Sequence, residues 1–195
     1  MGVPNIFGNA TTTIPLSELD VNFATQITIG NTSVGLGNTV TAFTPNSVAG
    51  IVGTVTDDNV NAGGIGEYIE ANVASGAPIS LTSGVAVNIT SIPLTAGDWD
   101  VNGTTGVTGG ASTTVTVLIS GISTTSASLG ARGVTSRFDA SYGGTTIFTS
   151  NDVSLPLGPA RFSLSGNATA YLVVDAVFAV STASAYGEIR ARRIR

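Results

Sequence analysis

The chain has 195 residues, of which 42% are hydrophobic and 10% charged, with 7 Lys plus Arg against 12 Asp plus Glu and a net charge of −5. Every basic residue is arginine, and Lys, His and Cys are absent. That excludes zinc sites built from His or Cys, imidazole-assisted nucleophiles, P-loops and disulfides. An acidic chain without lysine has no general phosphate-binding surface, so nucleic acid is not expected as a partner.

A charge content this far below the roughly 25% of an average domain predicts a surface coated with Thr, Ser, Asn and Gly, or hidden against other copies of the chain. Charge-driven disorder is excluded by the same composition. No apolar run reaches the roughly 18 to 20 residues needed to cross a bilayer, so membrane insertion is not expected. The start, Met1-Gly2-Val3-Pro4-Asn5-Ile6-Phe7, has neither a basic n-region nor an apolar h-region, which predicts no secretory signal.

Residues 1 to about 64 hold few large apolar side chains among repeated Gly and Asn, too few to close a core, and residues 1–48 read as an attachment and short-strand segment. Ser17 and Asp20 have capping-box spacing, and Leu16, Leu19 and Phe23 share a helical face, which predicts one helical turn. Gln26-Ile27-Thr28-Ile29 then alternates as a strand, and the following Gly30-Asn31-Thr32 recurs as Gly37-Asn38-Thr39. A continuous helix through that repeat would lose about 1 kcal/mol at each glycine. A thin β-shaft, each chain supplying one wall, fits better. Residues 49–65 read as a linker or shaft ending in Asp57-Asp58-Asn59. Asp57 and Asp58 are candidate calcium ligands, but the Asp-x-Asp-x-Asp-Gly pattern is missing, and a solvated turn is the preferred reading.

From residue 66 to 195 the period becomes two. Ile69, Ala71 and Val73 alternate with polar residues, as do Val85, Val87 and Ile89, and then Trp99 and Val101 between Asp98, Asp100 and Asn102. Val115-Thr116-Val117-Leu118-Ile119 continues the series with Thr114, Thr116 and Ser120 outward. Phe138, Ala140 and Tyr142 lead into Gly143-Gly144, a hairpin signal, and Ala160, Phe162 and Leu164 lead into Gly166-Asn167, a second one. Tyr171 to Val180 is apolar on both faces, with Leu172, Val174, Ala176, Phe178 and Val180 on one and Tyr171, Val173, Asp175, Val177 and Ala179 on the other. Its second face is therefore expected to meet another subunit. Short strands without a long helical pattern predict an all-β, jelly-roll-like sandwich, its core including Leu172, Val174, Phe178, Phe162, Leu164, Trp99 and Val117.

The chain ends in a strand from Tyr186 to Arg195 whose Arg190 and Arg192 alternate with Ile189 and Ala191. Arg190, Arg192, Arg193 and Arg195 are candidates for an anion or saccharide-acid contact; pairing with acids of a neighbouring chain is preferred. Trp99 and the tyrosines Tyr68, Tyr142, Tyr171 and Tyr186 are candidates for stacking on sugars. Trp99, in phase with Val101, reads as core, and Tyr142 beside its glycine turn reads as the best exposed of the set.

The stretch Pro4-Asn5-Ile6-Phe7-Gly8, with Pro15-Leu16-Ser17-Glu18-Leu19-Asp20-Val21-Asn22-Phe23 and Ile27-Thr28-Ile29-Gly30-Asn31-Thr32, resembles the start of small tail-fibre proteins of bacteriophages and prophages. The strings Gly66-Glu67-Tyr68-Ile69, Leu81-Thr82-Ser83-Gly84, Leu94-Thr95-Ala96-Gly97-Asp98-Trp99-Asp100-Val101, Gly121-Ile122-Ser123-Thr124-Thr125 and Ala185-Tyr186-Gly187-Glu188-Ile189-Arg190-Ala191-Arg192-Arg193 are similar to the C-terminal domain of phage fibre and tail proteins. The resemblance implies a homotrimer in the virion, assembled in the bacterial cytoplasm. Its N-terminal segment would dock on a tail or baseplate protein and its C-terminal knob would face outward to a host-surface glycan or protein.

An enzyme is the rival reading, because some phage fibres cut polysaccharide with paired carboxylates. Asp98 and Asp100 lie two apart on one strand, with Cα atoms about 6.5 to 7 Å apart. Nothing apolar beside them would raise one pKa, and Asn102 continues the same wet face. No catalytic, metal or cofactor residue is therefore assigned, and no cofactor is expected. A connector or decoration protein without host contact is the remaining alternative. For an adhesin, the expected contact loops are 103–112 and 130–136.

Overall fold

The computed structural model describes residues 13, 56–148 and 152–195, and the backbone of 27–29 and 32–34. The chain forms two compact units, Met1–Asp57 and Asp58–Arg195. In the first, β1 (Ile27–Ile29) pairs antiparallel with β2 (Thr32–Val34), setting Ile27 opposite Val34 and Ile29 opposite Thr32. The helical turn expected at 16–23 and the repeat copy at 37–39 lie outside the described residues, as does the N-terminal attachment segment apart from residue 13 and these strands.

The second unit is all-β. Its strands are β3 (Tyr68–Val73), β4 (Ile79–Ser80), β5 (Val87–Leu94), β6 (Gly97–Gly109), β7 (Thr114–Ser123), β8 (Arg137–Thr146), β9 (Val153–Leu164), β10 (Ala168–Ala179) and β11 (Ala183–Arg193). One antiparallel sheet has the order β3-β11-β6-β9, with β4 also against β11; the other has the order β5-β10-β7-β8. Leaving out the short β4, the strands run first-eighth-third-sixth in one sheet and second-seventh-fourth-fifth in the other. That is the jelly roll, two Greek keys wrapped into a sandwich. Among the described residues no helix is long and apolar enough to cross a membrane.

The core lies between the sheets. Trp99, Leu172, Val174 and Phe162 are buried as expected, joined by Ile92, Leu94, Leu118, Ile122, Leu155 and Ile189, while Leu164 and Phe178 pack against this cluster half-buried. Each fully buried aliphatic side chain contributes about 1.5 to 3 kcal/mol. One polar bridge crosses the core, where the Thr105 hydroxyl of β6 donates to Ser120 Oγ of β7 at 2.9 Å. Ser120, expected to face outward, is fully buried.

The inversion has a clear cause. The register of β7 slips between Val115 and Val117 against β8, and β10 slips opposite the same place. A bulge adds a residue and exchanges the two faces beyond it. Val115 therefore points into the core, whereas Val117, opposite the exposed Val177, lies on the outer face with Ile119. Both hairpin signals also resolve differently. Gly143 and Gly144, at φ of 64° and 79°, sit within β8, where Ser141 pairs with Val117 and Thr145 with Val115, so they form the bulge and not a reversal. Gly166-Asn167 does reverse the chain, but β9 belongs to one sheet and β10 to the other, so the turn crosses the sandwich. Val85 precedes β5 and is exposed.

The outer face of the two-sided strand β10 is covered by its own chain at Val173. Val173 has no exposed surface, and its register partners are Asn88 on β5 and Gly121 on β7. Both hold the segment 124–136: Asn88 donates to Ser126 Oγ and accepts from the Ala127 amide, each at 2.7 Å, and a Cβ on Gly121 would stand 2.4 Å from the Leu129 carbonyl oxygen. The expectation that another subunit must cover this face is corrected at Val173. Val177, 40% exposed, is the part left open. Replacing Gly121 by Ala should lift this strap at a cost of about 1 to 3 kcal/mol. Urea unfolding should show the loss and limited proteolysis a new cut within 124–136; an unchanged midpoint with no new cut would contradict the strap.

Candidate functional site

The outer face of the β3-β11-β6-β9 sheet is a polar grid set by strand register. Tyr68, Arg192 and Asp100 form one row with Arg161; Glu70, Arg190 and Asn102 form the next; Asn72, Glu188 and Thr104 form a third with Pro156. In the row beyond, Tyr186 of β11 lies opposite Gly106 of β6, which pairs with Ser154 of β9. Antiparallel pairing delivers these side chains to one face because β3, β6 and β11 keep period two here, while an irregularity in β9 between Leu157 and Ala160 brings Arg161 to the same face as Pro156 and Ser154.

Among the described residues this face holds two depressions that bring its polar rows together. The larger, about 490 Å³, is lined by Asn72, Ser75, Thr104, Ser154, Tyr186 and Glu188 among others. Tyr186 is fixed by two features. A Cβ on Gly106 would stand 2.2 Å from the ring carbon Cζ, so only glycine lets the ring lie against the strand. The Tyr186 hydroxyl donates to Asp152 Oδ2 at 2.8 Å, and that bond, with partial burial, raises its pKa and keeps the proton on the phenol. The smaller depression, about 370 Å³, is bounded by Tyr68, Asn102, Arg190 and Arg192. There the Arg190 Nε donates to Asn102 Oδ1 at 2.7 Å, Tyr68 donates to Glu70 Oε2 at 2.7 Å, and the Arg192 guanidinium lies 5.7 Å from the Tyr68 ring centre.

Three of the four terminal arginines, Arg190, Arg193 and Arg195, pair with acids of their own chain. Arg193 is buried, with Nε 2.9 Å from Glu67 Oε2, Nη1 2.8 Å from the Ala96 carbonyl, Nη2 bonded to Thr95 Oγ1 and its guanidinium 4.3 Å from the Trp99 ring centre. Arg195 pairs with Asp98, as does Arg161 at 2.8 Å. Arg190 stands 3.4 Å from Glu188, an exposed pair of small energetic weight. Among the described residues, Arg192 has no carboxylate within ion-pair distance.

Asp98 and Asp100 share a face but not an environment. Asp98 is 4% exposed despite its wet reading, because the C-terminal residues fold over it: Ile194 N–H donates to its carbonyl and its own N–H donates to the Arg195 carbonyl. Arg161, then Ser163 and Arg195, hold its carboxyl well below the ordinary range. Asp100 is exposed. The Gly63 amide, with Arg193, likewise lowers Glu67 against the opposing effect of burial, and Arg137 with Arg132 lowers Asp139.

A depressed folded-state pKa adds stability above the unfolded-state value, lost as pH falls through the folded one. The ordinary values are 4.5 for Glu67 and 3.8 for both aspartates. The melting temperature should therefore hold near neutrality and drop between about pH 5 and pH 2. An equal melting temperature at pH 7 and pH 3 would contradict these pairs.

The remaining sequence candidates are dispersed. Trp99 is enclosed in the core, its Nε1 donating to the Thr95 carbonyl at 2.9 Å. Tyr142 packs against the core, contrary to its reading as the best exposed tyrosine, because the Gly143-Gly144 bulge keeps β8 on the sheet. Tyr171 stands on the outer face of the other sheet, between Ser91 and Ser123. Of the expected contact loops, 103–109 belong to β6, while 130–136 are part of the strap. Asp57 and Asp58 are exposed, and the described residues contain no group of three or more His, Cys, Asp or Glu placed to hold a metal. Tyr186 is a candidate from sequence, but the groove around it has no sequence signature because its walls come from β3, β6, β9 and β11.

No protein family matches the sequence, and no curated protein is recovered as a relative. Among solved structures, that of the infectious bursal disease virus Gx strain aligns with 66% of this chain and 32% of its own, at 14% identity and a TM-score of 0.41. The VP2 subviral particle of the same virus aligns with 66% and 31%, at 13% identity and a TM-score of 0.34. The chain spans about a third of the length of these chains, and likenesses this slight carry no inference about function.

Proposed function

We propose that the chain is a structural virion protein, a trimeric bacteriophage tail fibre. Its N-terminal segment attaches to the tail or baseplate, and its jelly roll is a knob that adheres to a host-surface glycan or protein without altering it. The observation that carries the non-catalytic reading is the state of Asp98. A glycosidase acid must hold a proton near neutral pH, which needs an environment that raises its pKa. Asp98 is buried under two guanidinium groups that do the opposite, and Asp100 beside it is solvated.

Adhesion asks for none of that machinery. A polar sheet face with a seated tyrosine, repeated on three chains, gains avidity through effective concentration. The fibre assignment itself is supported by the sequence strings quoted above. On the other sheet, Val177 beside Val117 is the apolar strip left for a neighbouring copy. The test is to incubate the purified chain with host envelope polysaccharide and measure both retention and polymer length. Retention with unchanged length is expected. Shortening that disappears in Asp100→Asn would establish an enzyme, and absence of retention on host cells would favour a connector.

A further inference from the structure

The groove beside Tyr186 has the parts of a sugar subsite and no other use within the described residues. Its aromatic ring is held near the hydroxyl, by Gly106 beneath and by Asp152 at the hydroxyl itself, so it costs little ordering on binding. Around it, Asn72, Ser75, Thr104 and Ser154 make no side-chain hydrogen bond within the described residues, leaving an amide and three hydroxyls free to exchange bonds with a ligand. A volume of about 490 Å³ lies in the range of small-ligand sites. One apolar ring among unpaired hydroxyls and an amide matches a pyranose, which has an apolar C–H face and a rim of hydroxyls.

Charge narrows the class. Glu188 lines the groove and Asp152 sits at the hydroxyl of the tyrosine, whereas Arg190, in the row next to Glu188, is engaged with Asn102 and Glu188. An anionic sugar would meet two carboxylates and no uncommitted cation. The neighbouring depression has Arg192 without a carboxylate partner, but Asp100 is its register partner and Glu70 stands in the next row, so that pocket is balanced too. We propose that the groove between β3, β6, β9 and β11 binds an uncharged saccharide, one ring of it stacked on Tyr186 and hydrogen-bonded by Asn72, Thr104 and Glu188. This rests on the adhesin reading and names its ligand class and site.

The experiment uses the whole chain on an array of neutral, amino and acidic oligosaccharides, with titration calorimetry on the strongest neutral member. Wild type should bind at least one neutral glycan. Tyr186→Ala should weaken it about tenfold or more, and Tyr186→Phe should retain most of the affinity because the ring remains. Melting curves identify any variant that fails to fold, and Asn72→Ala, on the open rim, then supplies the second arm with a similar loss. Binding of acidic glycans alone, binding indifferent to both Tyr186→Ala and Asn72→Ala, or binding to no neutral member would each overturn the subsite. Whole-cell retention separates this from the adhesin reading: cells still captured would leave that reading standing, and cells not captured would remove both.

Discussion

Arg193→Ala should lower stability by about 3 to 5 kcal/mol, the range for removing one partner of a buried ion pair. Arg193 is 4% exposed, and its loss would strand Glu67, itself 6% exposed, without its guanidinium. The same substitution removes the donors to the Ala96 carbonyl and Thr95 hydroxyl and the cation over Trp99. These contacts close one end of the sandwich, where the Gly66 amide bonds to the Arg193 carbonyl and the Arg193 amide to the Glu67 carbonyl. Arg193→Met, which keeps the stem but not the charge, should also lose most of this stability. Urea unfolding followed by Trp99 fluorescence measures it, and a loss below about 1 kcal/mol would show that the clasp is peripheral.

Trp99→Ala should cost about as much, some 3 to 5 kcal/mol, by opening a cavity in a core where the ring has no exposed surface. Trp99→Phe should lose less, since a ring remains beneath the guanidinium. The losses in Trp99→Ala and Arg193→Ala should fall short of additivity in the double variant, because each single change already removes the contact between the ring and the guanidinium at 4.3 Å. Circular-dichroism melts of the three variants measure the coupling, and strictly additive losses would mean the two groups act independently.

Much of the sandwich could be read from local alternation. Trp99 and Val101 against Asp100 and Asn102, Leu172 and Val174 on β10, and Ile189 and Ala191 between Arg190 and Arg192 each report their face directly. The misreadings at Val117, Ser120 and Tyr142 share one cause, the paired irregularity around residue 116 and Gly143-Gly144, which no periodicity count registers. Gly166-Asn167 announced a reversal of direction, but a turn signal is silent on which sheet receives the next strand, and in a jelly roll most connections cross.

The candidate site was less legible than the fold. Arg190 and Arg192 were visible as an outward cationic pair, yet their partners Asn102 and Tyr68 lie far away in sequence. Asp98 looked solvent-facing because nothing in its own strand says that the last residues of the chain cover it. Tyr186 is one of four candidate tyrosines, of which local sequence favours Tyr142, and the glycine that seats its ring, Gly106, lies on another strand. Sites assembled across a sheet leave only single residues in each segment, and single residues of ordinary type give no pattern to detect.

The claim at the centre of this account is that the jelly roll is an outward-facing adhesive knob. Gold labelling of intact particles with an antibody raised against residues 66–195 tests it most directly. Label at the distal tips of tail-attached fibres is the predicted result; label that appears only after the particles are disrupted would place the domain inside the virion and contradict it.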